Sequence, residues 1–80
     1  MQVEILTLEK TLLSTDAKSV IVPGKNGQFE MLNNHAPIIS LLQSGNIKVT
    51  DNNNNNTSFE ITSGSIEMSN NKIIILAETT

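Results

Sequence analysis

The sequence predicts an all-β fold, a mostly antiparallel two-sheet β-sandwich of short strands. Three observations favour it. Ten isoleucines and eight threonines enrich the chain in strand-forming residues, while arginine, a good helix former, is absent. Apolar and polar residues alternate in several short segments, and turn-forming residues lie between those segments. At 80 residues the chain has the length of one small domain, so we expect residues 1–80 to form a single β-sandwich domain.

Strict alternation predicts strands that each bury one face. It occurs at residues 2–5, 46–50, 58–62 and 65–69. A continuous apolar run at residues 73–76 predicts a central strand covered on both faces, and residues 20–22 form a shorter run of the same kind. Residues 38–42 are too short a segment for an independent helix and follow Pro37, so we expect a loop or short strand there, packed on the core.

Turn residues separate these segments. Pro23 and Gly24 fit the centre of a type II turn. Asn70 and Asn71 can adopt the positive φ values of a two-residue type I′ turn. The tract DNNNNN at residues 51–56 lies between two alternating segments, which is typical of a polar hairpin loop.

Composition excludes several functional classes. Without cysteine the chain has no disulfide or thiolate nucleophile, and one histidine cannot build a multi-histidine metal site. The absence of arginine, the net charge of -3 and the pI near 4.8 argue against a nucleic-acid partner. The N-terminal residues MQVEILTLEK lack the basic and apolar regions of a secretory signal, and no apolar run reaches 18 residues. We therefore expect a soluble, cytoplasmic protein.

No pattern predicts catalysis. The sequence SGS at residues 63–65 lacks the flanking glycines of a nucleophile elbow. The sequence GKNG at residues 24–27 lacks the spacing of a phosphate-binding loop. His35 has no visible orienting partner and more often fixes a loop by a hydrogen bond. We expect no catalytic residue, no metal site and no cofactor.

Residues 27–37 mix polar and apolar side chains in a predicted loop, which would suit a docking surface. This segment, G-x-F-x-M-L-N-x-H-A-P, also resembles a known family. Further matching segments are EILT at 4–7, VIVPG at 20–24, I-x-SG at 61–64, SNNK at 69–72 and ILAE at 75–78. Their order and spacing are similar to the N-terminal β-sandwich domain of the epsilon subunit of bacterial rotary F-type ATP synthases.

The resemblance implies a non-catalytic central-stalk subunit that binds the gamma subunit and contacts the c-ring, coupling proton translocation to ATP synthesis. It implies a peripheral location on the cytoplasmic face of the bacterial inner membrane, reached only through the complex. By carry-over, the loop contacts to the c-ring come from Gln28, Glu30, Asn34 and His35. The expected gamma-facing residues are Leu41, Leu42 and Met68.

Two departures from the family pattern stand out. Gln28 occupies a position where the family commonly has an acid, and Glu30 one often held by glycine. Most bacterial members also continue into a two-helix hairpin that restrains ATP hydrolysis. This chain ends at Thr80, so we expect the C-terminal helical domain, and its autoinhibition, to be absent.

The alternative interpretation is a generic β-sandwich module that binds protein or carbohydrate. Carbohydrate binding is disfavoured because the chain has no tryptophan or tyrosine to form an aromatic platform. A module that adds a partner's strand to an exposed sheet edge stays open. A small hydrolase is the least favoured alternative because no triad or metal-ligand set is present.

Overall fold

Eight strands form the regular structure of residues 1–79, which the computed structural model describes. Their bounds are β1 Gln2–Leu6, β2 Thr11–Gly24, β3 Gly27–Leu32, β4 Ile38–Leu42, β5 Gly45–Asp51, β6 Asn56–Ile61, β7 Ser63–Ser69 and β8 Lys72–Glu78. The all-β prediction is therefore confirmed. A search of these residues finds no helix capable of crossing a membrane.

The strands form a mostly antiparallel sheet that folds back on itself. Hydrogen bonds connect them in the order β1-β8-β7-β4-β2-β5-β6, β3 pairs with β2, and a further pairing joins β1 to β2. β1 and β8 run parallel, whereas the other pairings are antiparallel. The β1–β2 pairing closes a ring of strands, and this lets the sheet cover its own apolar face.

The long strand β2 connects the two parts of this arrangement. Its first half, residues 11–16, pairs with β1, and its second half pairs with β3 and β5. The β2–β5 register shifts between Ala17 and Ser19, an irregularity of the kind that bends a strand. One continuous strand can therefore take part in both layers of the sandwich.

The core is built from alternate positions of nearly every strand, as the alternating segments predict. Its fully buried large side chains are Ile5, Met31, Ile47, Ile61, Ile66, Met68, Ile73, Ile75, Val3, Val20, Val22 and Val49.

The prediction that residues 73–76 are covered on both faces is wrong for strand β8. Ile73 and Ile75 are buried, but Ile74 is only half-buried and Leu76 is 54% exposed. The run at residues 73–76 thus lies between two neighbouring strands and is fully covered on one face only.

One of the two tight turns predicted from the sequence is present, and the other lies at different residues. Asn70 and Asn71 have φ values of 52° and 58°, which confirms the type I′ turn between β7 and β8. Pro23 and Gly24 are not the centre of a turn. They extend the β2–β3 ladder as far as the pair Gly24 and Gly27, so the turn falls on residues 25 and 26.

The asparagine tract closes the β5–β6 hairpin, as predicted, and the Asp51 side chain organises it. Asp51 Oδ1 accepts hydrogen bonds from the backbone N–H groups of Asn53 at 2.8 Å and Asn55 at 2.9 Å. The backbone hydrogen bond from Asn55 is the main reason that the pKa of the Asp51 carboxyl lies below its usual value.

We expect these hydrogen bonds to weaken in acid. A carboxyl whose pKa is lowered by folding stabilises the folded form above its unfolded pKa of about 3.9, and this contribution is lost as the pH falls through the lower folded value. Nuclear magnetic resonance titration should show the Asn53 and Asn55 amide shifts moving with the Asp51 carboxyl, below about pH 4. Asp51→Asn is the control and should abolish that titration. An Asp51 carboxyl titrating at or above its ordinary pKa would contradict the assignment.

Candidate interaction surfaces

Strand β3 carries the first two of the predicted loop contacts. Gln28 and Glu30 lie within β3, so the prediction that they belong to a loop is wrong. The cause is the antiparallel ladder with β2, which extends from Gly27 to Leu32. Alternation along the strand points Met31 into the core and leaves Gln28 and Glu30 exposed.

The Glu30 side chain is fixed on this surface. Ser19 Oγ, on the neighbouring strand β2, donates a hydrogen bond to Glu30 Oε2 at 2.5 Å. In the ladder Ser19 lies opposite Leu32, two positions along β3 from Glu30. The contact therefore joins diagonal neighbours on the two strands. It holds the Glu30 carboxylate on the exposed face of the sheet.

Asn34 and His35 lie where β3 ends and the chain reverses, in a segment that we call the 33–35 turn. His35 N–H donates to the Leu32 carbonyl oxygen at 3.1 Å, and Asn34 has a φ of 62°. The His35 ring Nδ1 lies 2.8 Å from the Ala36 carbonyl oxygen. This local contact agrees with the expectation of a histidine that fixes a loop.

The four predicted c-ring contacts lie along one edge of the sheet, formed by β3. Among the described residues β3 pairs with β2 alone, so it is an edge strand. Gln28 and Glu30 occupy its exposed face and Asn34 and His35 follow directly beyond its end, all four being exposed. We call these four residues the β3 strip.

Two of the three predicted gamma-facing residues lie in the core and not on the surface. Leu42 is only 4% exposed and Met68 only 1%, so both belong to the core. Their strands alternate: Leu41 is 59% exposed, whereas the next residue points inward, and Met68 lies on the opposite face from Glu67. Of the three, only Leu41 exposes a large part of its side chain to solvent.

Leu41 belongs to a surface, the outer face, that four neighbouring strands share. The strand register aligns the outward-facing residues of β4, β7, β8 and β1 in two rows that cross the sheet. The first row is Leu41, Ser65, Leu76 and Leu6, and the second is Ile39, Glu67, Ile74 and Glu4. Ile39 is 78% exposed, so both rows hold large apolar side chains in contact with solvent. An exposed apolar patch of this kind marks an interaction surface.

An open groove of about 650 Å³ lies at one end of the outer face. Its apolar lining consists of Leu6, Leu8, Leu41, Leu42, Leu76 and Ala77. The lining also includes Gly64, where an added Cβ would lie 2.5 Å from the Leu76 carbonyl oxygen. Glycine therefore lets β7 and β8 approach closely beside the groove.

Sequence reasoning missed most of the outer face. The apolar patterns place Ile39 and Leu76 in segments packed in the core, and Leu8 follows the end of β1 without any periodic pattern. The available signal lies in β7, where Ser65 and Glu67 are polar and alternate with Ile66 and Met68. The strand partners of those two polar residues must then share the solvent side, and they are Leu41, Leu76, Ile39 and Ile74.

Few charged side chains lie on the outer face, and solvent reaches those that do. Lys72 Nζ lies 3.3 Å from Glu4 Oε1 at the margin of the outer face, and both side chains are partly exposed. Such a surface ion pair contributes about 0–1 kcal/mol. Within residues 1–79 no group of three or more histidine, cysteine, aspartate or glutamate side chains could hold a metal ion.

Comparison with known proteins agrees along the whole chain. The sequence model of a family described as "ATP synthase, Delta/Epsilon chain, beta-sandwich domain" matches residues 1–80. The ATP synthase epsilon chain of Chlorobaculum tepidum is 39% identical over 75 residues, which cover 94% of this chain and 85% of that protein. The epsilon chain of Protochlamydia amoebophila is 43% identical over 74 residues, covering 92% of this chain and 50% of that protein.

Solved structures share the fold. A chain of the central stalk and c-ring of Tetrahymena thermophila mitochondrial ATP synthase superposes with a TM-score of 0.81 at 19% identity, covering 98% of this chain and 63% of its own. A chain of Euglena gracilis mitochondrial ATP synthase gives a TM-score of 0.84 at 14% identity, covering 94% of this chain and 48% of its own. These similarities extend to the fold alone.

Proposed function

Because the chain belongs to the delta/epsilon β-sandwich family of ATP synthase, we propose that it is a central-stalk subunit which binds gamma and contacts the c-ring. It is a structural component of the enzyme complex and not itself an enzyme. In this role it passes the rotation driven by proton translocation to the catalytic part of the synthase. The family match over residues 1–80 is the observation that carries the proposal, and we treat these residues as one domain.

We propose that the β3 strip faces the c-ring. Its four side chains are polar and exposed, and they follow one another along an edge strand and the turn beyond it. The 33–35 turn precedes β4, whereas the groove takes in residues from the end of β4 and the end of β1. The turn and the groove therefore lie at opposite ends of the outer-face strands, so a partner bound at the turn leaves the groove open, although Gln28, opposite Pro23, lies toward the groove end.

We propose that the outer face and its groove receive gamma. Leu41 and Leu76 are more than half exposed and lie in one row across the sheet. Complete burial of such a side chain contributes about 1.5–3 kcal/mol. An apolar partner surface would thus gain most of its binding energy here. Assembly with gamma and the c-ring would place the subunit beside the membrane on the cytoplasmic side, held there through the complex.

Replacing Gln28, Glu30 and His35 together by alanine should leave the fold intact and lower ATP-driven proton pumping severalfold. The three side chains are exposed, and each hydrogen bond that they make to the partner would contribute about 0.5–1.5 kcal/mol, the net value of a typical protein hydrogen bond. Dye quenching in vesicles that contain the assembled synthase would measure pumping, with ATP hydrolysis recorded in parallel.

The matched control replaces Asn46, Ser58 and Glu60, three exposed polar residues of the β5–β6 hairpin, by alanine. This control should pump like the unmodified complex. Equal pumping by both triple variants would remove the β3 strip from the coupling contact.

A further inference from the structure

One contact from outside the β3 strip supports the 33–35 turn. The backbone N–H of Asn34 donates a hydrogen bond to Asn71 Oδ1 at 2.8 Å, although 37 residues separate them in sequence. Asn71 lies in the turn between β7 and β8, and its carbonyl oxygen accepts a hydrogen bond from Gln2 N–H at 3.1 Å. The Asn71 residue therefore joins the 33–35 turn to the start of β1.

The β7–β8 turn directs the Asn71 side chain toward the N–H group of Asn34. Both turn residues have left-handed φ values, 52° for Asn70 and 58° for Asn71, which a tight type I′ turn requires. Asn71 is half-buried and Asn70 is exposed. Among the described residues only the Asn71 carboxamide of this pair makes a hydrogen bond, so the two asparagines share a conformation but not a contact.

The 33–35 turn needs such support because Asn34 itself is left-handed, with a φ of 62°. Residues other than glycine visit this region at a conformational cost, although asparagine tolerates it better than most. A second contact acts on the same segment, since the Met1 amino group donates to Asn33 Oδ1 at 2.7 Å. A fixed acceptor for Asn34 N–H favours one conformation of the turn over the others.

We propose that Asn71 is the positioning residue of the turn half of the β3 strip, Asn34 and His35. By accepting the hydrogen bond from Asn34 N–H it holds Asn34 and His35 in a single arrangement before the rotor partner arrives. Binding then orders less of the loop, and contacts that are already organised transmit torque without first rearranging. The consequence for coupling rests on the proposed function, whereas the positioning itself is a property of the chain.

Hydrogen exchange in the 80-residue chain tests the positioning. Asn71→Gly removes the acceptor, and glycine at this place retains the positive φ that type I′ turns favour. We expect the Asn34 amide to exchange about five- to tenfold faster, as loss of one hydrogen bond implies. Asn70→Gly is the matched control and should leave this rate unchanged. Asn71→Asp keeps an acceptor oxygen and should restore it.

The core amide of Ile75 should exchange at the same rate in all these variants, which separates a local effect from general loss of stability. An Asn34 amide that exchanges at its original rate in Asn71→Gly would overturn the proposal. So would an equal acceleration in Asn70→Gly, because the carboxamide of Asn71 would then have no special role.

Proton pumping by the assembled synthase tests the consequence. We expect Asn71→Gly to lower ATP-driven pumping about twofold or more, and Asn71→Asp to retain it, since the strip itself is unchanged. Faster Asn34 exchange with unaltered pumping would overturn the link between positioning and coupling. If the alanine triple of the β3 strip is also without effect, the proposed c-ring contact of the strip fails, and the exchange result still decides the positioning.

Discussion

Ile75→Asp is expected to unfold the domain, whereas Leu76→Asp leaves it folded. Ile75 is 0% exposed in the centre of β8, between β1 and β7. Removing a large core side chain costs about 2–5 kcal/mol, and an unpaired buried carboxylate adds several kcal/mol more. A small domain has about 0.05–0.15 kcal/mol of stability per residue, so this loss approaches or exceeds the total.

Circular dichroism and thermal melting of the purified variants measure this effect. Leu76 is the adjacent residue on the same strand and is 54% exposed, so its aspartate remains hydrated. Ile74→Asp, at a half-buried position, should give an intermediate loss of melting temperature. A cooperative, native-like melt for Ile75→Asp would show that the inward face of β8 has been assigned wrongly.

Replacing Leu41 and Leu76 together by aspartate should weaken gamma binding about a thousandfold while the domain stays folded. The two side chains lie in one row of the outer face, with Ser65 between them. Burial of the exposed half of each side chain would contribute about half of the roughly 1.5–3 kcal/mol for a fully exposed one, and the variant must also bury two carboxylates at a cost of several kcal/mol. A loss of about 4 kcal/mol corresponds to a roughly thousandfold weaker complex.

The control for this variant is Leu32→Asp. Leu32 has the same 54% exposure as Leu76 but lies at the end of β3, away from the outer face. Affinity for gamma, measured by calorimetry or surface immobilisation, should be unchanged in the control. Undiminished binding by the double variant, or equal loss in Leu32→Asp, would place the gamma contact elsewhere.

Alternation made much of this fold predictable from sequence. Val3 and Ile5 alternate with Gln2 and Glu4, Ile47 and Val49 alternate with polar residues in the same way, and the structure buries all four apolar side chains. The type I′ turn at Asn70 and Asn71 was predictable too, because few residues tolerate two successive positive φ values. The order of the segments that match a known family agrees with the strands and turns that the residue patterns predict independently.

The apolar run in β8 shows why other predictions failed. Ile74 and Leu76 are as apolar as Ile73 and Ile75, so composition cannot distinguish a face covered by the domain's own second layer from one open to solvent. A surface that is covered by a partner has the same sequence pattern as a core. Under the proposed function, that partner is gamma.

Register explains the misplaced site residues. Leu41 and Leu42 are adjacent, and a shift of one position exchanges the inward and outward residues of a strand. The pairing of β4 with β7, and with β2 at Leu42, fixes Leu42 in the core and Leu41 outside. The same holds for Met68, whose face depends on a ladder with β4 and β8 that the sequence does not specify.

Co-expression of the chain with the gamma subunit from the same genome tests the central claim most directly. Size exclusion followed by native mass spectrometry would report the composition of any complex. The proposed stalk role predicts a one-to-one complex that survives chromatography. A well-folded chain that elutes alone, beside a soluble gamma subunit, would contradict it.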